Sequence, residues 1–323
     1  MTNTVYFVDT NIIFKWFMNI NSIIKKVLLY CGLDIRLAKK NQTLSIEEIK
    51  KVNDNTLSYI KSLSVEELQK RVNSITYNGL LSTRSISEIN SILDKEGIIV
   101  VPGVLDDSKV DETKKIIKDI IQNIKKSESS KKGNGKDYIV QNNIIKGQSY
   151  FDLSNNPKSV VVIRQGNDQG MIDVFNVNRL LGKLGDEVYK VFLKDWLVDL
   201  LKNSNEPVNP KNLNLYINHS VTSTRGFHVD SNYRSIKGFI YLTDVNTIED
   251  GPYCYVKGTH IDTPFSKVNK SLGGKEAPFT NILDIIPVLG KKGTLILSDQ
   301  SGIHRGIPQR IGSIREVLVM RYA

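Results

Sequence analysis

Two histidines and one aspartate in the C-terminal third of the chain have the residue types and spacing of a metal site. His228 and Asp230 stand two residues apart, and His304 follows much later in the chain. Alternate residues of a β-strand point to one face, so a strand through His228 and Asp230 places an imidazole beside a carboxylate. Two histidines and a carboxylate form the facial triad of non-haem iron, which leaves coordination positions open for dioxygen and a bidentate 2-oxo acid.

The scarcity of histidine adds weight to this pattern. The chain contains four histidines, and two of them belong to the proposed ligand set. The other two, His219 and His260, have no carboxylate at ligand spacing, and we expect surface or structural roles for them. The alternative for the pattern itself is two hydrogen-bonded histidines beside a solvated aspartate.

The segments that would position these ligands read as short β-strands. Runs rich in Val, Ile, Leu and aromatic residues recur from about residue 159, separated by Gly, Pro and Asn, at residues 160–163, 213–217, 239–242, 294–297 and 317–320. Many short strands of this kind predict a jelly roll within an α+β protein. In residues 213–218 polar and apolar residues alternate, so Asn214, Tyr216 and Asn218 share one face of the strand. That face is either exposed to solvent or part of a pocket wall.

The first part of the chain reads as helical. Ser45 with Glu48, Ser64 with Glu67 and Ser85 with Glu88 each have the spacing of a capping box that begins a helix. We therefore predict a helical N-terminal extension over residues 1–84 and a second domain over residues 85–323. The extension is expected to act as a lid, a dimer contact or a partner surface.

The second domain resembles the phytanoyl-CoA dioxygenase-like family of Fe(II)/2-oxoglutarate-dependent oxygenases. The resemblance begins at about Glu88 and is clearest from Tyr216 onward. It rests on residues 96–105 (EGIIVVPGVL), 241–245 (YLTDV), 250–252 (DGP), 257–260 (KGTH), 304–306 (HRG) and Arg315. The family implies a double-stranded β-helix (jelly-roll, cupin-like) core with flanking helices, which holds Fe(II) through His228, Asp230 and His304.

The resemblance also implies a site for 2-oxoglutarate. In such enzymes an arginine beyond the distal histidine binds the far carboxylate, because a planar guanidinium suits a bidentate contact. Arg315 matches that position, and its rivals in sequence are Arg305, Arg310 and Arg321. Family members often carry a hydroxyl two residues after the distal histidine, where this chain has Gly306. Thr243 and Tyr216 are therefore the candidates for a second contact.

The implied reaction converts 2-oxoglutarate and O2 to succinate and CO2 and hydroxylates a small polar metabolite, anionic or sugar-linked. Desaturation, ring closure and epimerisation are variants, whereas halogenation is not expected because related halogenases lack the carboxylate that Asp230 supplies. Four polar residues flank the triad and are candidate substrate contacts, with rim or fold contacts as the alternative: Arg225, Asn232, Lys237 and Gln300. Residues 265–280 lie between the ligand-bearing strands and could form a lid.

Two other functions compete with this reading. Residues 5–13 (VYFVDTNII) resemble the start of a PIN-type nuclease, in which Asp9 would bind Mg²⁺, but such a site needs several converging acidic residues. A jelly-roll protein that binds ligands without turnover is the other alternative.

Composition narrows the remaining possibilities. The net charge of +10 does not gather into a basic stripe with aromatics, so a nucleic-acid partner is not expected. Two cysteines without metal-ligand spacing and no continuous apolar span predict a cytoplasmic protein without a membrane segment. The sequence does not predict an oligomeric state.

Overall fold

The fold is described by a computed structural model that covers residues 45–82, 85–130, 137–140, 143–147, 160–164, 168–201, 210–263, 266, 269 and 275–322. The chain divides between Tyr59 and Ile60 into two units. In the first unit, the described residues from Ile46 onward belong to helix α1 (Ile46–Lys61). The domain boundary predicted at residues 84 and 85 stays a prediction.

The second unit is built on one large sheet and one small sheet. The large sheet has the strand order β1-β10-β7-β12-β6-β5-β4-β3-β2, and the small sheet has the order β11-β8-β9. The strands are β1 (Ile98–Val101), β2 (Asp137–Val140), β3 (Asn143–Gly147), β4 (Val160–Ile163), β5 (Met171–Phe175), β6 (Pro210–His219), β7 (Ile236–Tyr241), β8 (Tyr253–Val256), β9 (Ile285–Pro287), β10 (Leu295–Asp299), β11 (His304–Gly306) and β12 (Ile314–Tyr322).

From β6 onward the chain passes repeatedly between the two sheets. Strands β6, β7, β10 and β12 lie in the large sheet, whereas β8, β9 and β11 lie in the small one. A bridge between His228 and His304 places the segment before β7 beside β11, so it extends the small sheet by one short strand. Eight segments distributed in this way form a double-stranded β-helix, which confirms the predicted jelly-roll core and α+β class.

Helices cover the outer face of the large sheet, except α2 (Val65–Asn73), which contacts β9 of the small sheet. The covering helices are α3 (Ile86–Glu96), α4 (Asp107–Ser130), α5 (Asn178–Leu181), α6 (Lys183–Val191) and α7 (Asp195–Leu201). Alternation along β6 turns Leu213, Leu215 and Ile217 toward this layer, where they share a core with Trp196 and Leu197. Burial of these apolar side chains against the helices is the main stabilising term of this layer. Across the described residues, no helix is long and apolar enough to cross a membrane.

The inner face of the large sheet carries a different set of side chains. Cross-strand partners share a face, and the pairs Arg315–Asn218 and Val317–Tyr216 belong to the face opposite Leu215. Phe239 on this face stacks on Tyr253 of the small sheet, with 4.9 Å between ring centroids. The space between the sheets therefore has aromatic walls and a polar region around Arg315.

Two of the three predicted capping boxes begin helices through their serine side chains. The Ser45 backbone N–H donates to the Glu48 carboxylate at 2.8 Å, and the Ser45 hydroxyl accepts from the Glu48 N–H at 3.2 Å. Ser64 caps α2 by accepting from the Glu67 N–H at 3.2 Å. At α3 the prediction is wrong, because the Ser85 hydroxyl donates to backbone carbonyls before the helix rather than capping it.

We expect Leu215→Ala to lower the free energy of unfolding by about 2–5 kcal/mol, because it leaves a cavity between the sheet and the helix layer. Leu215 is fully buried, whereas Leu283 is 52% exposed, so Leu283→Ala serves as the matched control and should change little. Urea unfolding followed by tryptophan fluorescence measures both, since Trp196 lies in this core. Equal effects of the two substitutions would contradict the packing described here.

Candidate metal centre

The predicted metal ligands come together at one end of the space between the sheets. One ligand atom each from His228, Asp230 and His304 can be chosen so that all three lie within 4.8 Å of one another. The Asp230 carboxylate lies between the rings, with Oδ1 3.6 Å from His228 Nε2 and Oδ2 3.7 Å from His304 Nε2. Among the described residues this is the group of histidine, cysteine and acidic side chains that could hold a metal ion.

Backbone pairing fixes the relative positions of the two histidines. The His228 N–H donates to the His304 carbonyl at 3.0 Å, and the His304 N–H donates to the His228 carbonyl at 2.9 Å. This reciprocal pair holds two segments that are remote in sequence at the spacing of neighbouring strands. The ring centroids are consequently 4.5 Å apart.

Each histidine is also held in one tautomer. His228 Nδ1 lies 2.8 Å from the Gly226 carbonyl oxygen, and His304 Nδ1 lies 2.9 Å from the Gly302 carbonyl oxygen. A carbonyl oxygen can only accept, so Nδ1 carries the proton in both rings and Nε2 keeps its lone pair. Both Nε2 atoms face Asp230, which is the arrangement that a metal-binding histidine requires.

Gly302 is needed because the backbone before His304 passes close to an aromatic side chain. A Cβ atom at position 302 would collide with the hydroxyl end of Tyr255. That hydroxyl is fixed, since it donates to the Asp299 carbonyl at 3.0 Å. Glycine therefore lets the carbonyl of residue 302 reach the His304 ring.

The electrostatics of the cluster favour the protonation states that its side chains need in order to bind a metal. Burial lowers the pKa of His228 well below its ordinary value, and the neighbouring His304 and Arg225 act in the same direction. Burial opposes ionisation of Asp230, but the charge of Lys237 and its hydrogen bond to the carboxylate hold the pKa of Asp230 far below the ordinary range. The site thus presents a neutral imidazole and an ionised carboxylate.

The donor set fits Fe(II). Two imidazole nitrogens and one carboxylate suit a divalent first-row transition metal, whereas Mg²⁺ and Ca²⁺ prefer ligand sets made of oxygen. The ligands come from adjacent strands at one side of the cluster. Three protein ligands would leave further coordination positions of an octahedral ion for other ligands.

Arg315, the predicted 2-oxoglutarate arginine, lies on β12 opposite Asn218 of β6. It is buried on the inner face and donates through Nη1 to the Gly251 carbonyl. Its Nε atom is buried and has no hydrogen-bond partner among the described residues. Burial lowers the pKa of this arginine, so a ligand carboxylate would be a favourable partner for its charge.

The rival arginines occupy other environments. Arg310 and Arg321 are exposed. Arg305 is buried, but it donates to the Gly306 carbonyl, and its guanidinium lies 5.3 Å from the centroid of the Phe227 ring. Of the four arginines, Arg315 alone combines burial with the inner face of the large sheet.

The candidates for the second 2-oxoglutarate contact differ in position. Thr243 Oγ1 accepts from the Glu316 N–H at 3.2 Å, so its hydroxyl supports the backbone. Tyr216 lies on the same face as Arg315, two residue pairs further along the strands. Asn218, which was not singled out as a ligand, stands directly opposite Arg315, and its Oδ1 is buried without a partner in the described part of the chain. The alternation of polar residues in β6 was the available signal.

The predicted substrate contacts separate into two groups. Lys237 Nζ donates to Asp230 Oδ2 at 2.6 Å, and an Arg225 Nη atom lies 3.5 Å from Asp230 Oδ1 and contacts His228 Nε2. Gln300 is buried and donates to the Ser298 hydroxyl at 2.9 Å, and Asn232 is exposed. The structure therefore brings the side chains of Lys237 and Arg225 to the metal ligands, whereas Gln300 contacts Asp230 through its backbone carbonyl, which accepts from the Asp230 N–H at 3.0 Å.

The remaining predictions near the site have mixed outcomes. His260 Nε2 lies 2.9 Å from the Asp94 carbonyl oxygen, and the His219 backbone pairs with Ile314, which agrees with structural roles for both. Part of the predicted lid is tied to the small sheet, since the Val229 N–H donates to the Lys275 carbonyl at 3.0 Å. Asp9 lies outside the described residues.

Comparisons with known proteins give structural matches alone. No family model and no curated protein matches the chain. It is similar to AviO1 from Streptomyces viridochromogenes Tue57, with 17% identity over 76% of this chain and 96% of that one, at a TM-score of 0.47.

Two further solved structures show the same level of similarity. One is HygX from Streptomyces hygroscopicus with nickel and 2-oxoglutarate bound, with 13% identity over 76% and 87% of the chains at a TM-score of 0.47. The other is the non-haem α-ketoglutarate-dependent carbocyclase SnoK from nogalamycin biosynthesis, with 14% identity over 76% and 87% at 0.49. Because these identities and TM-scores are low, the roles of individual residues are argued from the geometry of this chain.

We expect Lys237→Met to weaken metal binding about 10-fold or more, because Lys237 orients the Asp230 carboxylate, and partners of metal ligands contribute at this level. Titration with Co(II), followed by its visible absorption, measures the affinity. Lys237→Arg keeps the positive charge and a hydrogen-bond donor, so it should retain most of the metal affinity. Unchanged or tighter binding by Lys237→Met would show that repulsion between Lys237 and the metal outweighs its positioning effect.

Proposed function

We propose that this protein is an Fe(II)/2-oxoglutarate-dependent dioxygenase that hydroxylates a small polar metabolite and releases succinate and CO2. The observation that carries the proposal is the convergence of two Nε2 lone pairs, from His228 and His304, on the ionised carboxylate of Asp230. No Mg²⁺-dependent or purely structural role requires this combination of tautomers and charge.

The chain's own residues divide the work of the proposed reaction. Bound Fe(II) supplies the coordination positions at which 2-oxoglutarate and O2 react. His228, Asp230 and His304 would hold the ion on one face. Arg315 would bind the far carboxylate of 2-oxoglutarate, since its buried Nε lacks a protein partner in the described residues and a carboxylate accepts from two guanidinium N–H groups at once.

Asn218 is our choice for the second contact with 2-oxoglutarate. It is the direct cross-strand partner of Arg315, and side chains at such positions are within hydrogen-bond reach of one ligand group. The amide can present either its oxygen or its NH2 group to that space, because the two orientations occupy the same volume. It would compensate for the hydroxyl that Gly306 lacks.

The polar character of the substrate is inferred from the cations around the ligands. Lys237 is 19% exposed and Arg225 is 44% exposed at their side chains, so both combine contact with Asp230 and access to solvent. Such groups attract polar or anionic molecules to the open side of the metal. Hydroxylation is the proposed outcome, and product analysis distinguishes it from desaturation, ring closure or epimerisation.

We expect the protein, reconstituted without oxygen with Fe(II) and 2-oxoglutarate, to show the weak visible metal-to-ligand charge-transfer band of a chelated 2-oxo acid. His228→Ala should abolish the band, because the variant lacks one of three protein ligands. His260→Ala is the matched control, since it removes a histidine that is not in the ligand group, and should retain the band. A folded, iron-loaded wild-type protein without the band would move the assignment to a binding protein that lacks turnover.

Arg315→Met should weaken 2-oxoglutarate binding by about 10-fold or more while leaving Co(II) affinity within about 2-fold, because the arginine binds the co-substrate and not the ion. Titration of the charge-transfer band with 2-oxoglutarate gives the first quantity. Arg321→Met, on the same strand but exposed, is the control and should change neither. Equal titrations for Arg315→Met and wild type would assign the co-substrate to another arginine.

A further inference from the structure

A second polar cluster lies on the inner face of the large sheet, centred on Asp173 of β5. Asp173 is fully buried, and its cross-strand partner on β6 is Tyr216. Its chain neighbours Ile172 and Val174 belong to the core beneath the helices, so alternation turns Asp173 toward the space between the sheets. The sequence analysis did not identify this carboxylate, because a lone aspartate within an apolar strand carries no motif.

The two oxygens of Asp173 have different surroundings. Oδ2 accepts from Nε of Arg164 at 3.0 Å and lies 2.9 Å from Arg164 Nη2. Oδ1 is buried and has no hydrogen-bond partner among the described residues. A buried acceptor without a donor is costly, and the ion pair with Arg164 already uses the other oxygen. The second oxygen is therefore available to a ligand.

Contacts connect this cluster to the metal ligands. Arg164 Nη1 lies 3.3 Å from Asp168 Oδ2, and Asp168 Oδ1 accepts from the Arg225 backbone N–H at 3.2 Å. Arg225 in turn contacts the ligand His228. Asp173 also interacts electrostatically with Lys237, whose Nζ is 2.6 Å from the Asp230 carboxylate. Asp173 thus belongs to the wall beside the ligand group.

We propose that Asp173 Oδ1 binds the substrate by accepting a hydrogen bond from a hydroxyl group of a neutral, polyhydroxylated molecule. This inference rests on the function proposed above and names the class of substrate for the same site. Asp173 would hold the hydroxylated part of the molecule while the metal ligands lie on the other side of Arg225.

The balance of charge favours a hydroxyl over an ammonium group. Asp173, Asp168 and Asp230 supply three negative charges, and Arg164, Arg225 and Lys237 supply three positive ones. A ligand ammonium beside the fully buried Asp173 would add an uncompensated charge, which is unfavourable. A hydroxyl supplies the donor that Oδ1 lacks and leaves the balance unchanged. Burial also raises the pKa of Asp173 to about 6, against the pull of Arg164, which is consistent with a neutral partner.

Asp173→Asn tests the proposal, with Asp195→Asn as the control that removes an exposed acid of the same unit. The charge-transfer band with Fe(II) and 2-oxoglutarate is recorded first for each protein. Saturation-transfer NMR on the Zn(II) and 2-oxoglutarate forms then measures binding of three probes with the same ring. The probes are methyl α-D-glucopyranoside (neutral), D-glucosamine (ammonium) and D-glucuronate (carboxylate).

We expect the wild-type protein and Asp195→Asn to bind the neutral glycoside best, and Asp173→Asn to bind it about 10-fold or more weakly, as loss of a hydrogen bond to a charged group requires. The band should be the same in all three proteins. Absence of glycoside binding by the wild type, or equal binding by wild type and Asp173→Asn, overturns the proposal. Preference for glucosamine that is lost in Asp173→Asn also overturns it, in favour of an ammonium site.

If the proposed function is wrong, the wild-type protein itself lacks the charge-transfer band. That result differs from all of the outcomes above. If Asp173→Asn does not fold, Arg164→Gln/Asp173→Asn removes both members of the Asp173–Arg164 ion pair. Asp168 then keeps the hydrogen bond from the Arg225 N–H. The same 10-fold loss of glycoside binding is expected for that variant. Retained binding there overturns the proposal in the same way.

Discussion

The reciprocal backbone pair between His228 and His304 is the contact on which the site depends. Two hydrogen bonds, at 3.0 and 2.9 Å, join segments that lie far apart in the chain and extend the small sheet by one strand. The pair fixes the distance between the two rings. It also leaves each Nδ1 beside a carbonyl of its own strand, so that both Nε2 atoms are presented to Asp230.

The jelly roll makes this pairing possible by separating two environments. The outer face of the large sheet is apolar and is covered by helices, which supplies most of the burial. The inner face is thereby free to carry groups that cost stability, namely Arg315, Asn218 and Asp173. Each has a buried polar atom without a partner among the described residues.

Charge pairing limits the cost of these buried groups. Lys237 and Arg225 lie against Asp230, and Arg164 lies against Asp173 and Asp168. Removal of one member would leave an uncompensated buried charge, which is more damaging than loss of the whole pair. The proposed substrate and co-substrate contacts are thus part of an electrostatic network that already includes the metal ligands.

The sequence by itself predicted the metal ligands and the fold class. His228, Asp230 and His304 follow from residue types and spacing, Arg315 follows from the family resemblance, and the longer strands follow from runs of β-branched residues. Strand β12 was predicted for this reason. These features are local, so a linear pattern is sufficient to find them.

Only the tertiary structure decided which further residues reach the site. Short strands such as β9 and β11 have three residues each and no alternation of their own, so their pairing depends on neighbours remote in the chain. The same holds for Asp173 and Asn218, whose positions follow from cross-strand register, and for Gln300, whose side chain donates to the Ser298 hydroxyl. Register depends on contacts between distant segments, and residue spacing does not encode it.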